Sequence, residues 1–100
     1  DQLEKLFDFG ELDEIPHLIS EGRFRYPSNA PTGRGEAYVR LLVYVDKDGQ
    51  VTARDVIEYS HEELIRAVRE MAEDSRFSSP TRNGRAVRSK YEWTIRIPMR

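Results

Sequence analysis

The chain has 100 residues, of which 38% are hydrophobic and 34% charged, with a net charge of -2 and no cysteine. A chain of this size predicts one domain with a small core, and no stretch approaches the roughly 20 apolar residues of a membrane helix. The lack of cysteine excludes thiol catalysis, zinc–thiolate sites and disulfides.

Charge is unevenly distributed along the chain. Residues 1–22 carry seven acidic side chains and one base, whereas residues 76–100 carry seven bases and one acid. Either the two ends attract each other, or the basic end meets an acidic partner, or the charges are simply solvated. The opening DQLEKLFDF is acidic rather than basic and then apolar, so we expect a mature product or an excised domain and no signal peptide.

The N-terminal part has the weakest pattern. Leu3, Leu6 and Phe7 have helical spacing, Gly10 interrupts it, and an extended EIPHLIS follows. We expect a short helix or strand and then a segment packed along a sheet.

The boundary of the folded domain is placed after this acidic part. Residues 1–22 are interpreted as a lead-in segment and residues 23–100 as the domain. Within the domain, residues 26–35 (YPSNAPTGRG) are predicted to form a loop, because Pro31 and two glycines would interrupt a helix.

Two β-runs then predict a hairpin. The segment EAYVRLLVYVD alternates, which is typical of a strand with one buried face. The residues on that face are Ala37, Val39, Leu41, Val43 and Val45. The second run, residues 51–59, is less regular, and its adjacent Val56 and Ile57 predict a bulge or burial on both sides.

The connection VDKDGQV resembles a calcium loop at first sight. With Gly49 at the sixth position of such a loop, the first position falls on Tyr44 and the twelfth on Asp55, which do not match its ligands. A turn explains the residues better, with Asp46 opening it and Gly49 at a positive φ. We therefore expect no metal here and no cofactor elsewhere.

The segment SHEELIRAVREMAEDS predicts a helix. Ser60 and Glu63 have the spacing of a capping box. One apolar stripe follows at helical spacing, and the breakers in RFSSPTRNG end the helix near Ser75. The stripe consists of Leu64, Ile65, Val68, Met71 and Ala72.

The last strand has the clearest alternation. In VRSKYEWTIRIP, one face is apolar and the other polar. The apolar face holds Val87, Tyr91, Trp93, Ile95 and Ile97, and the polar face Arg88, Lys90, Glu92, Thr94 and Arg96. Tyr91 and Trp93 are therefore expected in the core.

These elements predict an α+β fold: a small antiparallel three-stranded sheet (β-β-α-β, order 2-1-3) with one helix on one face, preceded by an irregular N-terminal segment. The crossover helix returns the third strand parallel to the second, which leaves two places for it, beside strand two or beyond strand one. We favour the second place, because strand one has the composition of a central strand. The third strand is then an edge that could accept a peptide.

The order of these pieces resembles the C-terminal domain of TonB, the energy transducer of Gram-negative bacteria. The resemblance covers residues 23–98, and ELDEIPHL upstream also resembles a lead-in of TonB-like periplasmic proteins. The matching pieces are Tyr26–Pro27 with Ala30, VDKDGQV, Ser60 opening the helix, Ala67–Val68, RFSSP, NGRAV and a closing β-run. The anchor and Pro-rich spacer of a full transducer are not among these residues, so both a transducer and a standalone relative stay open.

The resemblance implies a periplasmic domain, anchored in the inner membrane in the full-length protein, that binds the TonB box of outer-membrane transporters by strand addition. It also implies contact with an ExbB/ExbD-type inner-membrane complex through that anchor. The implied peptide-binding residues are Arg25, Tyr26, Pro27, Val87, Arg88, Ser89, Lys90, Tyr91, Glu92, Trp93, Thr94, Ile95 and Arg96.

The same residues bear on other classes of function. An enzyme is not expected, because His17 and His61 have no catalytic motif near them and the serines lack a G-x-S-x-G frame. A nucleic-acid sheet would display stacking aromatics on its polar face, and only Tyr38 and Tyr44 lie there, so no nucleic acid is expected. An edge-to-edge homodimer stays open, because exposed strands pair readily.

Overall fold

The computed structural model describes residues 5–100. Its strands are β1 (Leu6–Asp8), β2 (Leu18–Ser20), β3 (Glu36–Val45), β4 (Val51–Tyr59), β5 (Arg76–Phe77), β6 (Thr81–Arg82), β7 (Arg85–Ala86) and β8 (Arg88–Pro98). The helix α1 (Ile65–Glu73) lies between β4 and β5, and 3-10 turns cover Phe9–Glu11 and Glu62–Leu64. The chain is α+β, as predicted, while Leu3 lies outside the described residues.

The main sheet has the strand order β1-β8-β3-β4. β3 pairs antiparallel with β4 and with β8, so β4 and β8 are parallel to each other. β1 pairs in parallel with β8 over Arg88–Lys90. The prediction of a three-stranded sheet is wrong, because a segment that was expected to be irregular supplies a fourth strand. The last strand is consequently an edge only beyond Lys90.

β3 is the centre of the sheet, and its alternation is as predicted. Ala37, Val39, Leu41, Val43 and Val45 are all fully buried. The residues between them point to the other, more exposed side. We call the buried side of the sheet the helix side and the opposite one the solvent side.

β4 carries two irregularities. Its pairing with β3 shifts between Arg40 and Leu41 and again between Leu42 and Val43. The first shift leaves Ile57 unpaired and 44% exposed, so the adjacent Val56 and Ile57 mark a bulge rather than burial on both sides.

α1 packs on the helix side of the sheet, against β4 and β3. Val68, Met71 and Ala72 are its buried residues, as the stripe predicts. The predicted capping box is wrong: the Ser60 hydroxyl accepts a hydrogen bond from the Tyr38 N–H at 2.9 Å instead, and a 3-10 turn precedes the helix. Ser60 therefore joins the end of β4 to β3.

The connection between β3 and β4 is a turn closed by Asp46. Its carboxylate oxygen Oδ1 accepts hydrogen bonds from the N–H groups of Asp48 and Gln50, both at 2.9 Å. Gly49 has a φ of +86°, as predicted. The Asp46 carboxylate thus serves the backbone, which is the role of an aspartate that opens a turn.

The segment between β1 and β2 is attached to the domain at several points. Phe9 is 6% exposed and belongs to the hydrophobic core. The Asp13 carboxylate accepts hydrogen bonds from the N–H groups of Asn83 and Gly84 at 2.8 and 2.9 Å, and these bonds lower the pKa of Asp13. Further along, β2 pairs with β5. The segment after β1 is therefore part of the folded structure.

Candidate peptide-docking edge

The candidate site is the part of β8 that has a neighbour on one side only. β3 pairs with β8 from Glu36 opposite Pro98 to Val45 opposite Ser89. On the other side, β1 pairs with Arg88–Lys90. We call Tyr91–Pro98 the open edge, because within residues 5–100 no strand pairs with its outer side.

The backbone groups that face outward can be identified from the pairing. The Met99 N–H donates to the Gly35 carbonyl at 3.0 Å, and these two residues continue the β3–β8 register. Because hydrogen-bonded and non-bonded pairs alternate in an antiparallel ladder, the odd-numbered residues of β8 direct their N–H and C=O groups to β3. The outward groups of the open edge therefore belong to Glu92, Thr94 and Arg96, followed by the Pro98 carbonyl.

Tyr26 closes the C-terminal end of the open edge. Its hydroxyl donates a hydrogen bond to the Pro98 carbonyl oxygen. The Arg100 guanidinium lies 4.2 Å from the centre of the Tyr26 ring, and Phe24 packs edge-on against that ring at 4.8 Å. Tyr26 is thus where the resemblance places it, near one end of the last strand.

The two neighbours of Tyr26 have other surroundings. Arg25 lines a cleft of about 260 Å³ together with Glu70 and Asp74, beside α1 rather than β8. The Pro27 carbonyl accepts a hydrogen bond from the Ala30 N–H at 3.0 Å, which forms a tight turn. Of the predicted triplet, Tyr26 is the residue whose side chain makes a described hydrogen bond to β8.

The N-terminal end of the open edge is closed by β1 and Phe9. The Phe9 ring stacks on Tyr91 with centroids 4.4 Å apart and an interplanar angle of 4°. Phe77 packs edge-on against Phe9 at 5.5 Å. The expectation of an open edge from Val87 onward is wrong here, since Arg88, Ser89 and Lys90 already have β1 as a neighbour and Val87 precedes β8.

The side chains of β8 divide as the alternation predicts. Trp93 and Ile95 are 9% and 4% exposed and belong to the core, where Ser89 is also fully buried. Glu92 and Arg96 are exposed on the solvent side. A strand added at the open edge would therefore meet the backbone and the solvent-side groups, while Tyr91, Trp93 and Ile95 shape the sheet from its other side.

The solvent side beside the open edge is polar and internally bonded. Arg40 donates from Nε to the Thr94 hydroxyl at 3.2 Å and lies 3.5 Å from Glu58. The Tyr38 hydroxyl donates to Glu58 Oε2 at 2.8 Å, and this bond raises the pKa of Tyr38. The Tyr44 ring contacts the Arg54 guanidinium at 5.3 Å. Both exposed-side tyrosines thus have partners within the domain.

Both histidines have a described contact with a serine hydroxyl. His61 Nδ1 lies 2.8 Å from the Ser60 hydroxyl, at the junction of β4 and the turn before α1. The His17 N–H donates to the Ser78 hydroxyl at 3.1 Å. Among residues 5–100, no group of three or more histidine, aspartate or glutamate side chains is arranged to hold a metal.

Sequence reasoning missed the contribution of residues 6–13. A three-residue strand carries too little alternation to be recognised, and the partners of β1 lie more than 80 residues away along the chain. One signal was present: Phe9 is a second aromatic residue next to Gly10, beyond the helical spacing of Leu6 and Phe7. Its burial against Tyr91 explains why the segment returns to the sheet.

Comparison with known proteins identifies the family of the chain. A family model described as the Gram-negative bacterial TonB protein C-terminal matches residues 22–97. A search of curated proteins gave no match. Within the described residues, no helix has the length and apolarity needed to cross a membrane. The chain belongs to the TonB C-terminal family, whose members are periplasmic protein-interaction domains of Gram-negative bacteria.

Proposed function

We propose that this domain binds the TonB box, an extended N-terminal segment of an outer-membrane transporter, as an added strand on the open edge. The observation that carries the proposal is the row of outward N–H and C=O groups on Glu92, Thr94 and Arg96, with no strand beside them in the described chain. Family membership supports the same class of partner.

Strand addition supplies both affinity and selectivity from this geometry. Each backbone hydrogen bond with the guest contributes about 0.5–1.5 kcal/mol net, and the outward groups of three residues offer several such bonds. Glu92 and Arg96 are exposed on the solvent side, four residues apart and of opposite charge. A guest strand with complementary charges at the matching positions is therefore favoured over others.

The biological role we propose is mechanical coupling in the periplasm. In a full-length protein with an inner-membrane anchor and an ExbB/ExbD-type complex, the docked strand would connect the inner membrane to the transporter. A standalone relative without an anchor would use the same edge for another extended partner or for a homodimer. The edge itself is common to these roles.

The test removes one outward N–H from each edge of the sheet. Thr94→Pro deletes an outward donor on the open edge, and Tyr59→Pro deletes an outward donor at the end of β4, on the opposite edge. We expect Thr94→Pro to weaken binding of a synthetic TonB-box peptide by about tenfold and Tyr59→Pro to leave it unchanged. NMR titration of the amide chemical shifts gives both the affinity for the peptide and the location of its binding site on the domain.

The same titration has clear contrary outcomes. If the largest shifts fall outside Tyr91–Pro98 and Tyr26, or if both proline variants bind equally well, the open edge is not the docking site. Molecular mass measured across a range of protein concentrations distinguishes self-association from peptide docking. If the protein is a dimer that Thr94→Pro dissociates, and no variant binds peptide, the open edge serves self-association instead.

A further inference from the structure

β1 pairs with the outer side of β8, the same side that is open from Tyr91 to Pro98. Leu6, Phe7 and Asp8 are opposite Arg88, Ser89 and Lys90, in parallel orientation. The even-numbered residues of β8 direct their backbone N–H and C=O groups outward, toward β1. In a parallel pair, a residue bonds the two residues that flank the one opposite to it. Phe7 is opposite Ser89, so its backbone groups bond those of Arg88 and Lys90. The chain's own N-terminal segment thus fills the first three positions of an edge that runs on to Pro98.

β1 is only partly buried: Leu6 and Phe7 are half-buried, and Asp8 is exposed. Asp8 and Lys90 approach to 4.0 Å, with side chains 66% and 41% exposed, and such a surface ion pair contributes little. The Phe7 ring contacts the cations of Lys5 and Arg82 at 4.9 and 5.1 Å. It also borders a cleft of about 270 Å³ beside Arg85 and Val87, so its packing is incomplete. A two-strand contact this short is marginal by itself.

The chain immediately after β1 is held much more firmly. Phe9 is buried between Tyr91 and Phe77. Asp13 receives two backbone N–H groups, and its own N–H donates to the Thr81 carbonyl at 2.8 Å. The Asp8 N–H also donates to Glu11 Oε1 at 2.9 Å, so the firmly held part of the chain begins directly at the end of β1.

We infer that β1 is a displaceable strand that competes with the guest for Arg88–Lys90, so that the complete docking edge extends from Arg88 to Pro98. This inference rests on the proposed function. A short guest pairs with the open edge while β1 stays bound, and a longer guest must displace β1. The apparent affinity for the longer guest equals its intrinsic affinity multiplied by the fraction of molecules in which β1 is released from β8.

The test changes the pairing of β1 without touching β8. Phe7→Pro removes the N–H that bonds to β8, whereas the matched control Leu6→Pro removes an N–H that points away from it. The probes are two synthetic peptides from the N-terminus of one TonB-dependent transporter, a short one that reaches Tyr91 and a long one that reaches Arg88. We expect Phe7→Pro to raise the affinity for the long peptide by about tenfold and to leave the short one unchanged.

The opposite change is a reversible lock. Asp8 and Lys90 are Cα partners of adjacent strands, so Asp8→Cys with Lys90→Cys places two thiols within disulfide reach in a chain that has no other cysteine. Oxidation is expected to weaken binding of the long peptide alone, and a reductant to restore it. Hydrogen exchange gives a readout without peptide: the Lys90 N–H should exchange faster in Phe7→Pro and at its original rate in Leu6→Pro.

These results separate the two proposals. If both peptides bind and neither the proline variant nor the lock changes the affinity for the long one, β1 is a fixed end of the groove and the inference is wrong, while the proposed function stands. If neither peptide binds any variant, the proposed function fails and the competition fails with it. If Phe7→Pro binds the long peptide more tightly and Leu6→Pro does not, the result supports both the proposed function and the displacement of β1.

Discussion

Gly49 shows how far a single residue can be predicted from its neighbours. The spacing of Asp46 and Gly49 predicts a turn with a positive φ, and the φ is +86°. A second requirement comes from a distant residue: a methyl group at Gly49 would lie 1.9 Å from the Phe77 carbonyl oxygen, because the Phe77 N–H donates to the Gly49 carbonyl at 2.9 Å. No local pattern contains that contact.

The two requirements can be measured apart with Gly49→Ala and Gly35→Ala. Gly35 has a φ of +89°, and no atom beyond its two chain neighbours lies within 4 Å of an added methyl group. Its substitution should therefore cost mainly the backbone strain, about 1–2 kcal/mol. Gly49→Ala adds a collision with backbone and should cost about 3 kcal/mol or more. Urea unfolding of both variants measures the loss in free energy of unfolding. Equal losses would mean that β5, which contains Phe77, moves away from residue 49 at no cost.

Ser60 shows why a local motif can mislead. Ser60 and Glu63 match a capping box, but Ser60 lies at the end of β4, where the Tyr38 N–H needs an acceptor. The hydroxyl oxygen bonds that strand donor, and α1 begins later, at Ile65. A partner 22 residues away in the sequence thus replaced the local one.

At the scale of elements, the long strands were predictable and the short ones were not. β3 buries every second residue, and β8 does so except at the half-buried Tyr91. This period is visible in the sequence because one side of each strand faces the core. β1 and β2 have three residues each, and all three residues of β2 are exposed. Their positions depend on pairing with β8 and β5, which sequence spacing does not show.

Hydrogen exchange along β8 tests the assignment of inward and outward groups. In the free protein, the N–H groups of Trp93 and Ile95 are bonded to β3, whereas those of Glu92, Thr94 and Arg96 face solvent. We expect at least about tenfold slower exchange for the inward pair than for the outward three. Added TonB-box peptide should slow the outward groups, and exchange without alternation in the free protein would contradict the proposed edge.

At the scale of the whole molecule, the position of β8 beside β3 was predicted, but the extent of its open edge was not. The alternation of apolar residues and the composition of β3 were sufficient to predict that β8 pairs with β3, on the side away from β4. They were not sufficient to show that Leu6–Asp8 returns to cover Arg88–Lys90, since that contact depends on Phe9 finding Tyr91 and Asp13 finding the β6–β7 turn. Long-range contacts of this kind have no periodic signature.

Asp13 connects the start of the chain to the β6–β7 turn and should make stability depend on pH. Its pKa is lowered by the N–H groups of Gly84 and Asn83, so its contribution is complete above the ordinary carboxyl pKa and is lost as pH falls through the folded-state value. Asp13→Asn should therefore be less stable than the original chain at pH 7, with a difference that shrinks below about pH 4.

The control for that experiment is Glu14→Gln, which removes the same charge one residue away. Urea midpoints of the three proteins at neutral and acidic pH check the prediction. A difference between the original chain and Asp13→Asn that stays constant down to acidic pH would show that the carboxylate is not the group responsible.

Tyr26 and Phe9 belong to one continuous stretch of chain, yet they stand at opposite ends of the same strand. While β1 stays bound, Phe9 and Tyr26 therefore limit the length over which a short guest of the proposed kind could pair with β8. Sliding by one residue would also turn every one of its side chains to the wrong face. For such a guest, the two ends of the open edge limit the length of the pairing, and the two-residue period of the sheet fixes its alignment.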